Sequence, residues 1–178
     1  MTETEFIKRA KQFKTLVSKD RLNVLYEFCK STEGEIWECG VYKGGTANAF
    51  AGFGRTLRLF DTFEGMPKVS EFDNHHRKGD FKVKGIPQIE GAKIYKGFIP
   101  KTFKGLENYI IGFAHIDVDI YQSVIDCCEF IVPRLKGVMI FDDYGFRTCK
   151  GAKKACDDFF GNKIIRLNTK QSLFIKAC

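Results

Sequence analysis

Residues 35–46 read Glu35-Ile36-Trp37-Glu38-Cys39-Gly40-Val41-Tyr42-Lys43-Gly44-Gly45-Thr46. A short apolar strand runs into a glycine loop, and a helix opens beyond it at Thr46. Glycine lets the backbone turn tightly and approach a ligand. The free N–H groups at the start of the following helix add an anion site. A dinucleotide fingerprint needs G-x-G-x-x-G, and Tyr42 stands where its second glycine would be, so that fingerprint fails. Glu38, one residue ahead of Cys39-Gly40, suits a ligand that carries an ammonium group.

The same strand–helix alternation recurs along the chain. Strands are predicted at 35–39, 56–61, 92–95, 110–119, 138–142, 164–167 and 173–176, with helices near 46–51, 121–132 and 150–160. This alternation predicts an α/β fold with a mostly parallel sheet and helices on both faces. Only residues 168–172 separate the last two strands, which is hairpin length, so one strand near the sheet edge is expected to run antiparallel. Two amphipathic helices precede the sheet within residues 1–32. Phe6, Ala10, Phe13 and Val17 recur at helical spacing, with Thr2 and Glu5 as a capping box. Asp20 is expected to cap the second helix, which runs through Leu22, Leu25 and Phe28 to the Glu33-Gly34 stop. Residues 65–90 form the longest predicted loop, carrying Pro67, Pro87, His75 and His76. A loop of that length in a compact domain acts as a lid or binding segment, or is disordered.

Composition bounds the rest. The 178 residues predict one domain. Eighteen Phe are far too many for a disordered chain. The net charge of +7 admits nucleic acid, acidic membranes or phosphorylated small molecules as partners. No apolar run approaches the roughly 18 residues of a membrane span, and the N-terminus lacks the apolar core of a signal peptide. The expectation is a soluble, cytoplasmic protein that makes no membrane contact and is free to form a homo-oligomer. Seven cysteines, without a C-x-x-C pair and with Cys127 and Cys128 adjacent, fit neither a disulfide framework nor a zinc knuckle. They are expected to be reduced, buried small hydrophobes.

In parallel sheets of this kind ligands sit beyond the carboxyl ends of the strands. Those ends carry Gly40, Asp61, Gly97, Asp117 to Asp119, and Asp142-Asp143. Asp61 lies 21 residues after Gly40, where an acid accepts from a ribose diol, and Phe63 beside it either covers an adenine or packs in the core. Asp117, Asp119, Asp142 and Asp143 close the fourth and fifth strands. Clustered carboxylates repel unless protonated or bridged by a cation, and oxygen-only ligands favour Mg²⁺ or Ca²⁺.

Four of these segments resemble one family. Asp61-Thr62-Phe63-Glu64-Gly65-Met66-Pro67 is similar to the D-[ST]-F-E-G-[LM]-P signature of macrocin O-methyltransferase-like enzymes. Glu38 to Gly45 resembles that family's E-x-G-V-x-x-G-G loop. His115 to Tyr121 and Phe141-Asp142-Asp143-Tyr144-Gly145 complete the set, in the same order. The resemblance implies a seven-stranded, Rossmann-like methyltransferase sheet, S-adenosylmethionine as methyl donor, Mg²⁺, and a small-molecule hydroxyl acceptor, usually a saccharide. Carried over by motif position, it implies donor contacts from Glu38, Gly40, Tyr42, Lys43, Gly44, Thr46, Asp61, Thr62, Phe63, Gly97, Phe98, Asp117 and Tyr121. It implies Asp117, Asp142 and Asp143 as metal ligands, with Asp119 competing with Asp117 for that role. Whichever of those two is not a ligand faces the acceptor or removes its proton. His115 is expected to be a buried, hydrogen-bonded strand residue rather than the base. His75 and His76 are expected in a solvated loop or against the acceptor.

Two other readings fit the same residues. One is an RNA or other nucleic-acid methyltransferase using the +7 charge, although the basic residues are dispersed and no aromatic-studded basic run suggests base stacking. The other is a non-catalytic adenosyl-binding module, against which the intact carboxylates argue.

Overall fold

The computed structural model describes residues 1–176. All seven expected strands form: β1 (Glu35–Cys39), β2 (Leu57–Asp61), β3 (Ala92–Lys96), β4 (Ile111–Ile116), β5 (Leu135–Phe141), β6 (Ile165–Arg166) and β7 (Ser172–Ile175). They build one sheet in the order β3-β2-β1-β4-β5-β7-β6. The first five strands pair in parallel. β7 runs antiparallel between β5 and β6. The antiparallel strand is therefore second from the edge, and its hairpin returns β6 to the direction of the rest.

β1 and β4 sit at the centre, and every residue of β4 is buried. Alternation along these strands feeds two cores. Ile36 and Phe113 pack under α1 (Glu3–Gln12), α2 (Lys19–Lys30) and α3 (Gly45–Ala51), with Phe6, Leu22, Leu25 and Phe50. Trp37, Phe60, Met139 and Phe141 pack on the other face under α4 (Tyr121–Ile131) and α5 (Lys150–Phe160). The six described cysteines are buried and unpaired, filling these cores as small apolar side chains. Cys178 lies outside the described residues.

The N-terminal capping box forms as expected: Thr2 Oγ1 accepts from the Glu5 N–H at 3.2 Å, and the Thr2 N–H donates to Glu5 Oε2 at 2.7 Å. Other boundaries differ from expectation. α1 stops at Gln12, and Val17 is buried from a bend rather than from a helix. Ser18, not Asp20, precedes the first turn of α2. β4 ends at Ile116, so Asp117 and Asp119 leave the strand instead of sharing one of its faces. The chain turns there because the Ile120 N–H donates to the Val118 carbonyl at 2.6 Å and Asp119 takes a left-handed φ of 58°.

Residues 65–90 hold no strand or α-helix, only a short 3₁₀ turn at Glu71–Asp73. They are nonetheless tied to the body. Met66, Val83 and Ile89 are buried. The buried Asp73 accepts from the Tyr121 N–H at 3.0 Å, which caps α4 from outside the helix.

The tightest backbone approach is at Gly40. The Gly40 N–H donates to the Phe60 carbonyl, and the Asp117 N–H donates to the Cys39 carbonyl, so the ends of β1, β2 and β4 are knitted together. A Cβ on Gly40 would stand 1.8 Å from the Asp117 carbonyl oxygen, at a φ of +87°. Gly40→Ala should therefore destabilise the protein by about 3 kcal/mol or more. A lowered urea midpoint with unchanged slope would register this, and an unchanged midpoint would contradict it.

Candidate active site

The carboxyl ends of β1 to β5 open into one cavity of about 290 Å³. Gly40, Tyr42, Gly45 and Thr46 form one wall, from the glycine loop and the start of α3. Asp61, Thr62 and Gly97 line the end beyond β2 and β3. Asp117, Asp119, Asp142 and Asp143 stand at the end beyond β4 and β5. Fold topology alone brings these segments together: each strand turn is local, but the rim they share is built from residues up to a hundred positions apart.

Asp61 shapes the glycine loop directly. Its Oδ2 accepts from the N–H groups of Val41 at 2.7 Å and Tyr42 at 2.9 Å, and its Oδ1 accepts from the Phe63 N–H at 2.7 Å. This grip compensates the left-handed φ of Tyr42 (51°) and Phe63 (56°). Asp61 thus holds the loop as well as facing the cavity.

Six of the residues expected to contact a ligand do not line the cavity. Glu38 is fully buried one layer below, where its Oε1 lies 3.0 Å from His115 Nδ1. Its Oε2 has no hydrogen-bond partner. Lys43 is exposed, with its ammonium 5.3 Å from the Tyr42 ring centre. Gly44 supplies the left-handed residue before α3. Phe63 packs in the core on the α1–α3 face. Phe98 is exposed on the outside, and Ile99 lines the cavity in its place. Tyr121 faces outward, with its hydroxyl donating to Asp158 at 2.9 Å.

The carboxylate end is electrostatically unbalanced. Asp142 is ion-paired with Arg21 of α2 and accepts from Gln171 Nε2 at 2.8 Å. Asp143 Oδ2 accepts only a 3.2 Å bond from the Asp119 N–H. Burial, then Asp142 and Asp143, raise the Asp117 carboxyl. Burial, then Asp119 and Asp142, raise that of Asp143. Burial and the Asp117 charge push Asp119 up to about 7. Such shifts mark carboxylates that lack a counter-charge. His115 supplies part of one. It is fully buried, with Nε2 3.7 Å from Asp142 Oδ1, an ion-pair distance rather than a hydrogen bond. Burial disfavours its charged ring, but Asp142 and Glu38 on its two sides outweigh that and push its pKa up to about 10. Its place in the strand is that of a buried, hydrogen-bonded residue. Arg21 pairs with Asp142 alone, and His115 is shared between Asp142 and Glu38, so Asp117, Asp119 and Asp143 have no cationic side chain paired with them among the described residues, and their oxygens suit a hard divalent cation.

Several cavity residues carry no motif. Lys14 to Val17 and Arg21 reach the site from the N-terminal region, and Phe146 and Cys149 from the segment after β5. Arg21 pairs with an acid 121 positions away and lies 4.9 Å from the Phe146 ring centre, contacts that no local pattern announces. His76 lines the cavity, whereas its neighbour His75 is exposed.

Solved methyltransferases share this fold. The calicheamicin methyltransferase CalS11 superposes with a TM-score of 0.74 at 19% identity, covering 98% of this chain and 93% of that one. The O-methyltransferase NovP superposes at 0.73 and 19% identity, covering 92% and 82%. No protein-family model matches the chain. In sequence, it is similar to two O-methyltransferases. It is 27% identical over 172 residues to 8-demethyl-8-(2,3-dimethoxy-alpha-L-rhamnosyl)-tetracenomycin-C 4'-O-methyltransferase of Streptomyces olivaceus, covering 78% of this chain and 65% of that protein. It is 23% identical over 195 residues to mycinamicin III 3''-O-methyltransferase of Micromonospora griseorubida, covering 85% and 76%. The chain thus spans just under two thirds of the first relative's length. Among the described residues no helix is long and apolar enough to cross a membrane.

Removing one partner of a buried ion pair strands the other charge. Arg21→Ala should cost about 3–5 kcal/mol. Arg21→Met combined with Asp142→Asn should recover most of that loss. Chemical denaturation of the three proteins checks the coupling, and equal losses in the single and double variants would contradict it.

Proposed function

We propose that this protein is an S-adenosylmethionine-dependent, Mg²⁺-assisted O-methyltransferase whose acceptor is a hydroxyl on a sugar-containing small molecule. One observation carries the reading: a glycine loop pinned by Asp61 faces a cluster of four carboxylates, of which only Asp142 has an arginine partner, across a single cavity. The relatives' names support the acceptor class, since both are O-methyltransferases and one acts on a rhamnosyl-bearing product.

The donor, when bound, supplies an electrophilic methyl group on a sulfonium. The divalent cation supplies charge that makes an acceptor hydroxyl easier to deprotonate. The chain's residues do the rest. Gly40 and Gly45 let the loop pack tightly against Asp117 and Thr15, and Asp61 keeps the loop in shape while facing the cavity. Asp117, Asp142 and Asp143 are the oxygen donors assigned to the cation. Arg21 and Gln171 fix the Asp142 carboxylate in one orientation. Asp119, lining the cavity beside that cluster, is placed to take the acceptor's proton. Met66, Phe81 and Phe146 supply apolar wall beside the reacting groups. Aligning two reactants in such a cavity is worth roughly 7–11 kcal/mol of barrier.

Three measurements test the division of labour. Asp61→Ala should weaken binding of S-adenosylhomocysteine, read by calorimetry. Asp119→Asn should leave that affinity in place and lower turnover by roughly 10²–10⁴-fold. Chelation of divalent ions should abolish turnover, and added Mg²⁺ should restore it. Equal losses of donor binding and turnover in Asp61→Ala and Asp119→Asn would overturn the roles.

A further inference from the structure

Beside the carboxylate cluster, three side chains of different chemistry meet. His76 comes from the 65–90 segment, Asp119 from the turn after β4, and Cys149 from the residue before α5. Cys149 Sγ lies 3.6 Å from His76 Nε2 and 3.5 Å from Asp119 Oδ1, and the three ligand atoms are all within 4.8 Å of one another. All three residues line the cavity.

We propose that His76, Asp119 and Cys149 form a second metal site, for Zn²⁺ or a similar borderline-soft divalent ion, distinct from the all-oxygen cluster of Asp117, Asp142 and Asp143; an ion bound there takes up the Asp119 carboxylate and so blocks its use as the proton acceptor. Zinc ligands sit at about 2.3 Å for sulfur and about 2.0–2.2 Å for nitrogen and oxygen, so the corners of their tetrahedron stand roughly 3.5–3.6 Å apart. Both separations from the Cys149 sulfur match such edges. A nucleophilic Cys–His–Asp relay would need the imidazole between sulfur and carboxylate. Here the sulfur is in the middle, which is the wrong order for a relay and the right one for three ligands around an ion. In the metal-free chain the same contacts serve as hydrogen bonds, with the thiol donating to Asp119 and the imidazole N–H donating to the sulfur.

The donor set also separates the two sites. Thiolate and imidazole select Zn²⁺ and its neighbours over Mg²⁺. Burial, then the Asp143 and Asp119 carboxylates, push the Cys149 thiol up, so no thiolate forms there without a compensating cation. On binding, the Cys149 S–H loses its proton to solvent, sulfur bonds to the ion, and the fourth position faces the cavity. The ion would then join three chain segments: the 65–90 loop, the β4 turn and the α5 start.

Titration of the full chain with Co²⁺, the spectroscopic stand-in for Zn²⁺, tests this. We expect one ion per chain, a thiolate-to-metal absorption band, and displacement by Zn²⁺ but not by Mg²⁺. His76→Ala and Cys149→Ser should each remove the band. Each should weaken Zn²⁺ binding by more than the roughly 10–100-fold that loss of an outer-shell partner costs. Asp117→Asn should keep the band. A wild-type chain without a thiolate band, a band that survives Cys149→Ser, or a band lost in folded Asp117→Asn would each overturn the proposal. These readouts do not use methyl transfer, so their failure is separable from failure of the enzymatic reading.

Discussion

Like charges held side by side in a partly buried place raise each other's energy, and the pairing of β4 with β5 creates that situation. In their parallel register Ile116 stands opposite Phe141, so the next residues, Asp117 and Asp142, emerge beside each other. The Asp142 N–H donates to the Ile116 carbonyl at 2.9 Å, which fixes the two chain ends before either side chain is placed. Everything else at the site answers this repulsion. Arg21 reaches across from α2 to pair with Asp142, His115 lies beneath it between Asp142 and Glu38, and burial with mutual repulsion raises the carboxyls of Asp117 and Asp143. A fold that merely needed stability would not crowd acids here, since apolar residues in the same place pack without the desolvation cost.

The opposite wall follows another constraint, close backbone approach. Gly40 touches the chain leaving β4, so the glycine loop and the acidic turn are mechanically one unit. Asp61 adds three backbone hydrogen bonds to the same unit. A ligand that spans the cavity from loop to acids therefore meets two walls whose spacing is set by main-chain contacts rather than by flexible side chains. Such preorganisation is what a transfer between two bound molecules requires.

The segment from 65 to 90 and the N-terminal helices finish the cavity without belonging to the sheet. Both are stitched to it by buried polar contacts: Asp73 to the Tyr121 N–H, and Arg21 to Asp142 and the Leu16 carbonyl. These are the parts of the chain that contribute His76, Phe81 and Leu16 to the walls.

Much of this was legible in the amino-acid order, for a definite reason. Strand and helix periodicity, the Gly40–Gly45 loop and the acids after each strand are local patterns, and in a parallel sheet local strand ends become a common rim. The seven strands, the antiparallel strand near the edge and the grouping of Gly40, Asp61, Asp117 and Asp142 were all readable in that way. Where a residue's role hangs on the direction of its side chain, motif position alone does not settle it. Phe63 takes the core-packing alternative, Tyr121 turns outward, and Glu38 drops beneath the loop to meet His115. Helix ends slipped for a related cause: Val17 falls on the apolar spacing of α1, yet it is buried from a non-helical bend because tertiary packing can bury a residue in any backbone state. The Arg21–Asp142 pair and the meeting of His76 with Cys149 had no trace in the primary structure. They join positions 121 and 73 residues apart, and a contact of that kind exists only once the chain has closed on itself.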